Sequence, residues 1–94
     1  MTRSELVIEA IRKAHEEADA KRNACTVVEY FNGDKIENEF LKINGSVWAR
    51  ILINGKETSR SKVYHVNTDK PYTRYGGRKW YITDDYLTAM RAAV

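Results

Sequence analysis

Ile36-Glu-Asn-Glu-Phe40-Leu-Lys-Ile-Asn44-Gly45-Ser-Val-Trp48-Ala-Arg50-Ile-Leu-Ile53 is the stretch whose reading decides the fold. Asn-Gly accepts the positive φ angles of a type I′ turn, whose twist matches that of two paired strands. A two-residue turn at Asn44-Gly45 sets Phe40 opposite Ala49 and Ile36 opposite Ile53, with Val47 and Ile51 on the same side. The reverse side pairs Leu41 with Trp48 and Glu39 with Arg50, an attractive cross-strand charge pair. One register therefore yields a continuous apolar face and a charge-paired back, as a half-buried hairpin requires.

Similar punctuation extends in both directions, at Asn32-Gly33, Asn54-Gly55 and Gly76-Gly77. Short strands between such turns form an antiparallel meander. A three-residue loop at Asn32–Asp34 would place Val28 and Tyr30 on the side of Ile36 and Phe40. The hairpin at Asn54-Gly55 fits less well, because continuing it puts Lys56, Thr58, Arg60 and Lys62 on the apolar face. Residues 57–61 are therefore expected to be a loop or irregular edge, with a strand resuming over Lys62–Val66 and holding His65 half-buried.

Upstream, Thr2-Arg-Ser-Glu5 has capping-box spacing, and Val7, Ala10, Ile11, Ala14 and Ala18 form a narrow apolar stripe with no Gly or Pro in residues 3–22. This predicts an amphipathic helix lying on the sheet. At the other end, Thr83-Asp-Asp-Tyr-Leu-Thr-Ala-Met-Arg-Ala-Ala predicts a short helix with acidic residues at its positive end. The expected fold is α+β, one domain over 1–94: an N-terminal helix packed on an antiparallel β-meander, then a short C-terminal helix. Helical spacing at Val47, Trp48, Ile51 and Leu52 leaves an alternative. Residues 36–53 would then be helical, and Gly77-Arg-Lys-Trp-Tyr-Ile-Thr83 before Asp84-Asp-Tyr-Leu87 would resemble the wing of a winged helix domain.

With 94 residues, 43% hydrophobic and 31% charged, the chain should fold rather than remain disordered. One Cys and two His cannot form an internal disulfide or a four-ligand zinc site, so no metal and no cofactor is expected. Glu5, Glu9 and Arg12 interrupt any leader-like apolar run, and no run is long enough to span a membrane. A lone Cys25, read as a buried structural thiol, then fits a cytoplasmic protein. A domain of this size buries a modest core and would gain from forming a homodimer.

The net charge of +3 conceals an asymmetry. Residues 1–40 carry a balance of −3 and residues 41–94 one of +6, with nine basic residues against Glu57 and Asp69 between Lys42 and Thr83. Such a distribution suggests an anionic partner on one side of the molecule. Within Pro71-Tyr-Thr-Arg-Tyr-Gly-Gly-Arg-Lys-Trp-Tyr-Ile-Thr83, a Gly-Gly turn sets Arg74 opposite Lys79 and Tyr72 opposite Tyr81, all on one side. Thr73, Trp80 and Ile82 occupy the other, suited to the core. Two facing cations repel unless an anion joins them, and tyrosine rings are stacking platforms.

The expected function is accordingly a nucleic-acid-binding or regulatory module. Arg60, Lys62, Tyr72, Arg74, Lys79 and Tyr81 would form its contact surface, extended by Lys70 and Arg78. A second expectation is a non-catalytic protein-interaction module, an adaptor or inhibitor docking on a larger enzyme through Leu41 and Trp48. Enzyme activity is not expected. His65 and Asp69 lack a second acid–base group at a useful spacing, His15 falls on the polar side of its helix, and Tyr75-Gly-Gly-Arg78 lacks the Lys-Ser/Thr of a nucleotide loop.

Overall fold

The computed structural model describes residues 2–94. Helix α1 (Arg3–Ala24) leads into six strands, β1 (Thr26–Phe31), β2 (Asp34–Ile43), β3 (Ser46–Ile53), β4 (Lys56–Tyr64), β5 (Tyr72–Tyr75) and β6 (Arg78–Tyr81), followed by helix α2 (Asp84–Ala92). The strands form one antiparallel sheet in sequence order. This is the α+β meander. The winged-helix alternative is overturned, since residues 36–53 are paired strands with Phe40 opposite Ala49 and Glu39 opposite Arg50.

Asn44 and Gly45 have φ of 49° and 81°, the left-handed pair of a type I′ turn. The Asn32-Gly33 connection is likewise a two-residue turn and not the expected three-residue loop, because Phe31 pairs directly with Asp34. That shift moves Val28 and Tyr30 away from the side of Phe40. Cys25, Val27 and Phe31 face that side instead.

Residues 57–61 are strand, correcting the expected loop. A β-bulge falls between the pairs Leu52↔Glu57 and Ile51↔Ser59, with Thr58 as the extra residue. Thr58 Oγ1 donates to the Ile51 carbonyl at 3.2 Å. A bulge inserts one residue into one strand, so every later side chain changes face. Ser59, Ser61 and Val63 thereby join the apolar face, while Arg60, Lys62 and Tyr64 go to the opposite, charged face. Strand β4 ends at Tyr64, and His65, with φ of 57°, is an exposed turn residue rather than part of a strand.

The core lies where α2 crosses the apolar face, joining Cys25, Phe40, Val47 and Val63 to Ala89, Met90 and Ala93. Tyr86, Leu87 and Ile82 pack at its margin. Tyr86 Oη donates to Glu29 Oε1 at 2.6 Å, tying α2 to the outer strand.

Helix α1 is capped as expected, with Glu5 N–H donating to Thr2 Oγ1 at 3.2 Å. Its packing is not as expected: none of its residues is buried, and Leu6, Val7, Ile8 and Ile11 remain 51–66% exposed. Only Cys25 separates Ala24 from Thr26. Helix–strand connections in α/β units usually take about 2–6 residues, so one residue leaves too little chain to fold α1 back over the sheet. The molecule is accordingly elongated, 57 × 34 × 21 Å. No described helix is long and apolar enough to cross a membrane.

Candidate nucleic-acid interface

The bulge at Thr58 determines which cations meet on the charged face. Beyond it, Lys62 lies opposite Trp48 and Tyr64 opposite Tyr72. Across β5 and β6, Tyr72 faces Tyr81 and Arg74 faces Lys79. Tyr64, Tyr72 and Tyr81 thus form one row across three strands. Lys62, Arg74 and Lys79 each lie two residues from that row, all in the same direction and on the same face. Neighbouring strands lie about 4.8 Å apart, so the cation row is about 10 Å wide.

Its electrostatics are unbalanced. Among the described residues, neither Lys62, Arg74 nor Lys79 has a carboxylate within ion-pair distance. Lys79 Nζ sits 4.8 Å from the Tyr72 ring centroid and Lys62 Nζ 5.5 Å from that of Tyr64, both held by the negative faces of the rings. Arg60 shares the face but is already paired, its Nε donating to Glu57 Oε1 at 2.9 Å. Arg50 Nη2 contacts both oxygens of buried Glu39 at 3.0 and 3.1 Å, and Arg22 Nε reaches the same carboxylate at 3.3 Å. Among the described residues, Lys62, Arg74 and Lys79 are thus without carboxylate partners, whereas Arg22, Arg50 and Arg60 are neutralised.

The aromatic half of the site needs correction. Tyr72 is only 7% exposed. Its ring stacks on Tyr64 at 5.4 Å and 18°, meets His65 and Tyr81 edge-on, and is covered by the Lys79 ammonium. It supports the surface and offers no free face. Tyr81, 56% exposed, is the accessible ring. A shallow depression of about 380 Å³, lined in part by His65, Lys70, Lys79 and Tyr81, opens beside it. Arg78 does not extend this strip, since it pairs with Tyr75 on the apolar side. Trp80 is also on that side and is half exposed rather than in the core, its indole N–H donating to the Tyr75 carbonyl at 3.3 Å.

Leu41 and Trp48 face each other on the charged side, both half-buried, with Trp48 next to Lys62. Buried Cys25 lies elsewhere, under α2, where burial raises its thiol pKa above the ordinary value. The chain matches no protein-family model, no curated protein and no solved structure.

Proposed function

We propose that the protein binds nucleic acid through the charged face of β4–β6. Lys62, Arg74 and Lys79 would contact phosphates, and Tyr81 would stack on a base. The observation that carries this reading is the row of three like charges, none of them paired with a carboxylate, on one exposed surface. Phosphates offset the mutual repulsion of such a row and release counterions on binding. Contacts of this type position a strand without reading its sequence. The expected behaviour is a salt-dependent affinity that varies little with base order.

Fluorescence anisotropy of a labelled oligonucleotide over a salt series tests this. Three phosphate contacts to a single strand correspond to a slope of about −2 in log K against log salt. A slope near zero, or no binding, contradicts the proposal.

A second reading keeps the same face but changes the partner. Leu41 and Trp48 adjoin the cation row, so an acidic protein surface with an apolar knob would also be complementary, as for an inhibitor or adaptor. Recovery of a stoichiometric protein after nuclease treatment, lost on Trp48→Ala, would favour it.

A further inference from the structure

Two apolar surfaces are left uncovered within one copy of this chain. The first is the stripe of α1, widened by Leu6 and Ile8 around its first three turns. The second is the part of the apolar sheet face that α2 does not reach. Six strands make a face about 24 Å wide, whereas one helix covers about 10 Å. Beyond α2, Phe31, Ile51, Ile53 and Trp80 remain exposed. A groove of about 260 Å³ runs between Trp80, Ile82 and Tyr86 over a floor that includes Ala49, Ser59 and Ser61.

We propose that the protein forms a two-fold dimer in which α1 of each copy lies on the open apolar sheet face of the other. The one-residue connection at Cys25 bars α1 from its own sheet. The side-chain bonds from Arg22 to Glu39 and from Thr26 Oγ1 to the Arg22 carbonyl hold its exit direction. Most helical stability in proteins comes from packing an amphipathic face, and the apolar face of α1 is not buried within one copy.

The shapes agree. Ala10, Ala14 and Ala18 let the helix approach the small-residue floor closely, while Val7 and Ile11 reach Ile51, Ile53 and Trp80. The area agrees too. A helix of 22 residues is about 33 Å long. With a contact strip about 10 Å wide, two helices and two sheet patches bury about 1,300 Å², within the range of stable dimers. The contact closes on itself, as an isologous interface must. It uses the face opposite the cation row and is independent of nucleic-acid binding.

Sedimentation equilibrium is expected to give twice the chain mass of 10.9 kDa. Val7→Glu with Ile11→Glu is expected to give a monomer, and so is Ile51→Lys with Ile53→Lys. All four positions are exposed in the single copy, and near-UV dichroism checks that the sheet persists. Mixing the two variants is expected to restore a heterodimer through the one remaining wild-type helix–sheet contact. In mixed-isotope wild-type protein, intermolecular NOEs are expected between α1 methyls and the Trp80 indole, a readout that needs no variant. A wild-type monomer at the highest soluble concentration overturns the proposal. So does a dimer unaffected by the sheet substitutions, failure of the mixed variants to associate, or absence of those NOEs.

Discussion

Tyr86 holds its proton against Glu29, and that hydrogen bond, with burial and the nearby Glu29 and Asp85 charges, raises its pKa to about 12. A phenol whose folded pKa exceeds its unfolded value of about 10 stabilises the fold below pH 10. The contribution is lost as pH rises toward 12. In an alkaline absorbance titration, one of the six tyrosines is expected to ionise late, and Tyr86→Phe should remove that step while costing about 1 kcal/mol. Glu39 makes the second prediction at this scale. It is buried and bound by two arginines, so Glu39→Ala leaves Arg50 without its main partner. The expected loss is about 2 kcal/mol in chemical denaturation, below the range for fully buried pairs because both arginines keep some solvent contact. The Glu39–Arg50 pair was legible in the sequence because a two-residue turn fixes it. The burial of Tyr72 was not. Strand alternation assigns its face, but the stacking of Tyr64 depends on how β4 pairs with β5 across the irregular connection of residues 65–71, which periodicity does not fix.

The bulge in β4 is the element on which the site depends. If residues 56–64 paired one to one with β3 and formed no bulge, Arg60 and Lys62 would fall on the apolar face and Val63 would leave the core. Because Thr58 is the extra residue, deleting it is expected to regularise the strand, keep the pairs from Ile51↔Ser59 onward, and change stability by about 1 kcal/mol or less. Circular dichroism melting checks this; a strongly lowered transition would mean that the bulge itself, and not only the register after it, holds the strand. Asn-Gly turns were readable because positive φ restricts residue type. The bulge left no such mark within Lys56-Glu-Thr-Ser-Arg-Ser-Lys62, a run with no apolar residue to fix register. The α1 stripe was readable as a helix face, but periodicity records only that a face is apolar, not what covers it.

At the scale of the whole molecule, the sheet separates two properties. Its apolar side carries α2 and open hydrophobic surface, and its charged side carries the row of Lys62, Arg74 and Lys79. The sequence balance of +6 in residues 41–94 located the basic half of the chain but not its distribution. Register then splits that half, sending Arg78 to one side and Arg74 and Lys79 to the other. If the cation row is the binding surface, position must matter more than net charge. The pair Arg74→Glu and Lys79→Glu takes the net charge from +3 to −1, as does the pair Arg12→Glu and Lys13→Glu on α1. Oligonucleotide affinity for these two double variants, measured at one salt concentration, is the most direct comparison. The account predicts that binding is lost in the β5–β6 variant and weakened only slightly in the α1 variant. Equal losses in both would contradict it, because attraction would then come from overall charge and not from this face.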